Sequence, residues 1–558
     1  MQIIKQVFNL KLIFLISASL CFIPDCQKIR AHDLDGHHGP TYKITPPLTG
    51  KDIKSCIYLQ IIDERTKEAL PVRFSLIINH KPYVPDSLDE NGIRFTSIHT
   101  GKDEIFICTY SRGKGVVTVP LPENTRNGII YLSKGYEYLP SETHFTYQGK
   151  DTITIQMRRW INLEKEGWFS ADEHIHYDRL NKDFDEDWLT MLEADGVTHS
   201  HFLVLKGGNL PGIWASQYAY GKAGEATNNR SAIFPGEEYR DSNQGHINLL
   251  GIDHVIYPIL AGTKDYPYNY PAFHDIFKET HELGGIGGPA HGARFGQKPT
   301  AFLDVILGNV DFFEIMNTGI TNTDNWYRLM NCGYFIPPAA GTDLPNWPFR
   351  DRWQPFFGET RMYVKMNENN YDFESWKHSI KKGNIFVTSG PIIKLKVNNA
   401  EMGDIIHLDV NKQVEISAEL QCTQALQSLE IILNGKVLSQ NIKWEKRDDI
   451  YVIKIDSTIQ ITESSWIAAR GKGFKKQALY AIRGDKINVF AHTAPIQILV
   501  DDAPIIFKDD AISLKNELES QKKHYHAKGN YKEEKHRQRM MRLYDKAINI
   551  INGRIIGD

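Results

Sequence analysis

Trp168-Phe169-Ser170-Ala171-Asp172-Glu173-His174-Ile175-His176-Tyr177 is the stretch on which the reading of this chain turns. Its apolar start predicts an extended strand, and successive side chains of a strand alternate between faces. His174 and His176 therefore point to the same side. Two imidazoles on one face are a ready pair of metal ligands. They fall at the end of the strand, where α/β architectures place their sites.

Other residues of ligand type gather in the same middle segment, each beside glycine or proline, where the backbone can turn a side chain into a cleft. Glu237 and Glu238 follow Gly236, His246 follows Gly245, His291 precedes Gly292, and Asp343 follows Gly341-Thr342. In extended backbone Glu237 and Glu238 face opposite ways, so only one of them enters a site. Imidazole with carboxylate suits zinc, manganese or iron(II) and disfavours calcium, which takes oxygen alone. Arg240 and Arg294 are candidates for neutralising developing negative charge or holding a phosphate. The aromatic run from Asn346 to Phe357 is a candidate wall of the cleft.

At 558 residues the chain is too long for one ordinary core, and about three to four units are expected. Residues 40–160 hold short β-branched and aromatic runs such as Ile57-Tyr58-Leu59-Gln60-Ile61-Ile62, divided by Pro, Gly, Asn and Asp. They predict a β-sandwich. Residues 161–395 alternate strand-like pieces with amphipathic helices, for example Asp187–Ala194 stopped at Gly196, which predicts an α/β layer or barrel. Residues 396–505 return to β texture, with a hairpin at Asn434-Gly435 joining Leu429–Leu433 to Lys436–Leu438. A second sandwich is expected there. In residues 506–558, Met541, Leu543, Tyr544, Ala547 and Ile548 recur at helical spacing and predict a helical tail docked on the body.

Lys5 and Lys11 precede an apolar run from Leu12 to Ile23. It is short for a membrane span of ~20 residues and right for a signal-peptide core. A signal peptide over 1–31 and a secreted or periplasmic mature protein are expected. Cys21 and Cys26 lack the small residue that precedes a lipidated cysteine, which disfavours a lipoprotein anchor. Cys56 and Cys108 fall in one expected domain and stand either as a disulfide or as separate thiols. Net charge is -3, from Lys+Arg 65 against Asp+Glu 68. The expected partner is a small-molecule or oligomeric ester substrate, with nucleic acid and a stable membrane span excluded.

The stretch Trp168 to Arg179, then Pro235-Gly236-Glu237-Glu238-Tyr239-Arg240 with Gly245-His246-Ile247-Asn248, Pro289–His291, Asp311-Phe312-Phe313-Glu314-Ile315-Met316-Asn317, Ala340–Asp343 and Thr388–Pro391 form a set. As a set they resemble the CehA/McbA-type metallohydrolases of the PHP (polymerase and histidinol phosphatase) superfamily, over about Gly167 to Val397. The resemblance implies a distorted (β/α)7 barrel, here flanked by the two β-sandwiches and the helical tail. It further implies one to three divalent metals, zinc or manganese foremost, and hydrolysis of a phosphoester or of a carboxylic or carbamate ester by metal-activated water. Carried over position by position, it puts His174 and His176 on the first metal and Glu238 between metals. His246 and His291 complete the cluster, and Asp343 matches the late aspartate. Glu238, Arg240, Arg294 and Asp343 are then expected at the reacting centre.

Two departures matter. The superfamily's late Asp-x-His reads Asp343-Leu344-Pro345 here, without the histidine, and its Thr-Asp-His is replaced by Thr198-His199-Ser200-His201-Phe202. A non-catalytic ligand- or glycan-binding protein with a degenerate barrel is the alternative these departures keep open.

Overall fold

In the segment Val116–Pro120, Val117 and Val119 are buried while their neighbours are half-exposed. That alternation is what one face of a sheet against a core requires. It recurs through the N-terminal part, which is two sheets of seven and three strands. Ile57, Leu59, Ile61, Val117 and Val119 from one meet Phe74, Leu76, Ile130 and Leu132 from the other. The computed structural model describes residues 42–49, 53–99, 104–149, 152–207, 212–317, 320–345, 356–366, 371–474, 476–477, 486–487 and 489–556. The expected signal peptide, and residues 346–355 of the aromatic run, lie outside them. Cys56, Cys108, Cys332 and Cys422 all carry free thiols, so Cys56 and Cys108 are not paired.

The central part is built on three parallel strands, Trp168–Ile175, His199–Lys206 and Ala232–Asp241. The first is buried along its whole length, as a strand covered on both faces must be. The helix Asp185–Ala194 connects the first two; Asp185, Glu186 and Asp187 complement its N-terminal dipole, and Gly196, at φ 71°, follows its end. After Asp241 the chain turns straight back into Gly245–Leu250, which pairs antiparallel with Ala232–Asp241 and then with Ile286–Pro289. On the other side, Arg361–Lys365 and Ile385–Thr388 add antiparallel strands.

The hydrogen bonding therefore draws a mixed parallel and antiparallel sheet where the sequence led us to expect a seven-stranded barrel of alternating strands and helices. The three-residue turn Ser242–Gln244 is too short to carry a crossover helix, so the strand after it runs antiparallel. Phe313–Asn317, Ile320–Thr321 and Pro338–Gly341 form a separate three-stranded sheet, joined to the first strand by the Ile175–Leu344 bridge.

The same large sheet continues into the C-terminal part without a break. Ile385–Thr388 pairs with Phe490–Thr493, which pairs with Ser465–Gly473 and so on to Leu426–Leu433 and Lys436–Asn441. The hairpin between the last two turns at Asn434 and Gly435, both at positive φ, as a tight two-residue turn demands. A five-stranded sheet containing Ile392–Val397, Lys412–Cys422 and Ile450–Ile461 covers this region.

Two long helices, Lys508–Lys528 and Glu534–Ile556, close the chain. Their Leu514, Leu518, Tyr525, Leu543 and Tyr544 share one core with Phe302, Trp326 and Met330 of the central part. The N-terminal sandwich is joined as closely: Tyr42, Phe95 and Tyr110 pack with Tyr177, Trp188 and Phe202. None of the described helices is long and apolar enough to cross a membrane.

Candidate metal centre

The first strand ends where its two histidines meet. His174 Nε2 and His176 Nε2 stand 3.0 Å apart, and both residues are buried. The far nitrogen of each ring is engaged: His176 Nδ1 lies 2.8 Å from the carbonyl oxygen of Leu203, and His174 Nδ1 lies 3.1 Å from Glu314 Oε1. A carbonyl and a carboxylate accept only, so each Nδ1 carries the proton and each Nε2 presents a lone pair. Two lone pairs this close repel unless a cation sits with them.

Glu238 arrives from Ala232–Asp241 and faces this pair. Its Oε2 is 3.3 Å from His176 Nε2 and 3.8 Å from His174 Nε2. Its Oε1 looks the other way, 3.0 Å from His246 Nδ1 and 3.1 Å from His291 Nε2. The local backbone that permits this needs glycine, because a Cβ on Gly236 would come within 2.5 Å of the Leu249 carbonyl oxygen of the neighbouring strand. Glu237, one residue before, points out of the centre and accepts from the Ile256 backbone N–H at 2.7 Å.

His246 comes from the returning strand, in register with Arg240. Arg240 donates to Glu238 Oε2 from the same face. Although His246 Nδ1 is close to Glu238, it makes no aligned hydrogen bond among the described residues. His291 sits in a short turn at φ 55°, a left-handed conformation that aims its ring inward.

Asp343 completes the group, with Oδ1 3.1 Å from His176 Nε2 and 3.7 Å from His174 Nε2. It can come so near because Gly341 has no side chain; a Cβ there would meet His174 Cβ at 2.4 Å. Buried Asp172 holds the loop, accepting from the Thr342 backbone N–H at 2.9 Å and hydroxyl at 2.6 Å.

Burial penalises charge, yet the carboxylates here stay ionised. Against that penalty, the Arg240 guanidinium and the His246 ring hold Glu238 well below the usual carboxylate range. His174 likewise holds Asp343 far below it. Burial and the neighbouring Arg240 push His246 down to about 4. Burial pushes His174 down too, but the charges of Glu314 and Asp343 outweigh it and raise its pKa well above the ordinary value. In the absence of a metal, a proton is the cation such a cluster collects.

The chain thus brings together His174, His176, Glu238, His246, His291 and Asp343. In each of the triads His174/His176/Glu238, Glu238/His246/His291 and His174/His291/Glu314, the ligand atoms lie within 4.8 Å of one another. The cluster opens to solvent at His246 and Asp343, whose side chains are 22% and 20% exposed. Arg240 sits against the cluster, whereas Arg294 is an exposed residue of the loop after His291. Phe295, next along, stacks on His246 with ring centroids 5.3 Å apart.

His199 and His201 lie elsewhere, packed against Phe234 on the side covered by the Phe373–Lys382 helix. Three contributors carried no sequence signal as site residues: Glu314, Asp172 and Asn248, whose amide donates to Glu173 at 3.1 Å and lies 3.1 Å from His174 Nδ1. All three fell within runs read as part of the family resemblance, but none was singled out there.

No protein-family profile matches the chain, and no curated protein matches it. Two solved structures are similar over part of it. Endonuclease Q, in complex with a 27-mer duplex substrate with an abasic lesion at the active site, is 14% identical at TM-score 0.26, over 38% of this chain and 56% of that one. The lesion-specific endonuclease from Pyrococcus furiosus is 14% identical at TM-score 0.25, over 38% and 56%. The similarity spans about half the length of each endonuclease. At this level it carries no argument about the reaction.

One expectation is withdrawn. Nucleic acid was excluded on net charge, but the first of these structures holds a DNA duplex, and that exclusion is withdrawn. Charge averaged over a whole chain does not describe the field inside one cleft lined by histidines and carboxylates.

Proposed function

We propose that this protein is a metal-dependent hydrolase whose Glu238 is shared between two divalent-metal positions. The observation that carries this is the division of one carboxylate: Oε2 faces His174 and His176, and Oε1 faces His246 and His291. The residues fit a metal because the lone pairs of His174 and His176 converge beside ionised Glu238 and Asp343, and because His246 Nδ1 lies next to a carboxylate oxygen without bonding to it. Mixed nitrogen and oxygen donors suit zinc or manganese. A divalent metal held by these residues would supply Lewis-acid chemistry, bringing the pKa of a water toward ~7 and polarising the bond to be cleaved.

His174, His176 and Asp343 would hold one position and His246 and His291 the other, with Glu238 facing both. Arg240 offsets part of the negative charge that Glu238 brings into a buried place. Arg294 stands at an exposed position in the loop after His291, available to an anionic substrate. Phosphoesters and carboxylic or carbamate esters are the substrates this arrangement suits, since both develop negative charge on oxygen as they react. The Leu12–Ile23 run supports an exported enzyme.

Elemental analysis of the purified protein, with a panel of ester and phosphoester substrates assayed with and without chelator, tests the reading. Bound zinc or manganese and a chelator-sensitive activity are expected. Changing His174 and His176 together to alanine is expected to remove most of the metal and leave the far-UV dichroism unchanged. Metal-free wild-type protein, or hydrolysis indifferent to chelator, would overturn it.

A further inference from the structure

Behind the metal-facing atoms the strand Phe313–Asn317 brings in another fully buried carboxylate, Glu314. Its two oxygens are both spoken for, and by different halves of the centre. Oε1 lies 3.1 Å from His174 Nδ1 and accepts from the Asn317 amide at 2.7 Å. Oε2 accepts from the His291 backbone N–H at 2.5 Å. That N–H belongs to a backbone under strain, since His291, Gly292 and Ala293 follow one another at φ 55°, 63° and 59°. Left without an acceptor it would be a buried orphan donor in a conformation that already costs energy.

Resting on the reading of this cluster as a two-metal centre, we propose that Glu314 is a positioning residue that couples the two positions. It fixes the ring of His174 on one side and the main chain that carries His291 on the other. A carboxylate is needed because all three groups it meets are donors. Glutamine offers one acceptor oxygen and turns its own N–H toward another N–H. Negative charge behind His174 also strengthens Nε2 as a donor to a metal, and loss of such an outer partner lowers metal affinity by about 10–100-fold.

The test is competition of wild type, Glu314→Gln and Asn317→Ala against a chromophoric chelator for zinc, with zinc stoichiometry and the melting temperature of the metal-free proteins recorded alongside. Glu314→Gln is expected to weaken both zinc sites by about 10–100-fold. Asn317→Ala, which removes a donor from Glu314 and an amide 3.4 Å from His174 Nδ1 while leaving the carboxylate in place, should weaken both by less. Should the glutamine variant fail to fold, the alanine variant decides. Wild-type affinity at both sites, loss at one site alone, or a lowered melting temperature with affinity intact each overturns the proposal while leaving the metal reading in place. A wild type that takes up no zinc or manganese overturns that reading and the proposal together.

Discussion

Glu237 and Glu238 are neighbours in sequence and opposites in chemistry. Burial raises the Glu237 pKa well above the usual range and so favours its neutral form, with one oxygen on Ile256 and the other without a partner among the described residues. Glu238 is equally buried and ionised. Glutamine is nearly isosteric with a neutral glutamic acid and is no substitute for a carboxylate between two metals. Glu237→Gln is therefore expected to keep metal and activity near wild type. Glu238→Gln should lose more metal affinity than the ~10–100-fold that removal of an outer partner costs. Metal titration of the two variants checks this, and equal losses in both would show that the register assigned to this strand is wrong by one. That one of the two glutamates turns inward was legible from strand alternation alone. Glu314 was not, because a single carboxylate inside the apolar run Phe312 to Met316 has no spacing to mark it.

Two of the chain's His-x-His pairs lie on strands of the central part, and the element around each pair decides its meaning. His174 and His176 close the first strand; His199 and His201 open the second, on the side covered by the Phe373–Lys382 helix. That helix is fixed by Asp372, which caps it by accepting from the Ser375 backbone N–H, and by Gly383 at φ 78°. Beneath it the His201 ring lies 4.5 Å from the Trp376 ring, and neither of its nitrogens finds a partner among the described residues. Burial drives its pKa well below the ordinary value. Above pH ~6.5 the ring is neutral folded or unfolded. As pH falls below that, the unfolded chain takes up a proton that the folded chain refuses, so stability is lost toward acid. His201→Leu is expected to raise the melting temperature, with a larger gain at pH 5 than at pH 8. Thermal denaturation at the two pH values measures it, and a gain independent of pH would refute the account. Spacing made both pairs visible, but no local pattern tells which end of a strand faces the cleft.

For the molecule as a whole, the C-terminal helices are structural though no ligand comes from them. Leu514, Leu518, Met540, Leu543 and Ile551 are buried in the core that also holds Trp326 and Met330. At about 1.5–3 kcal/mol each, these five alone match the ~5–15 kcal/mol by which a folded protein is stable. A chain ended before Lys508 is expected to be insoluble or to melt far below the full protein, despite containing every residue of the metal cluster. A soluble truncated form with an unchanged melting temperature would sink this expectation. Helical spacing exposed the tail in the sequence. The ladder between Ile385–Thr388 and Phe490–Thr493 left no such trace, for its partners lie about a hundred positions apart and each strand reads as an ordinary apolar run.

That ladder also bears on how such a chain can change over generations. A domain joined by a linker can be traded like a cassette. Here a cut between the central and C-terminal parts would leave a bare strand edge on each fragment, inviting aggregation. Exchange at this seam would therefore be costly to folding, whereas changes in the loops leave the ladder intact.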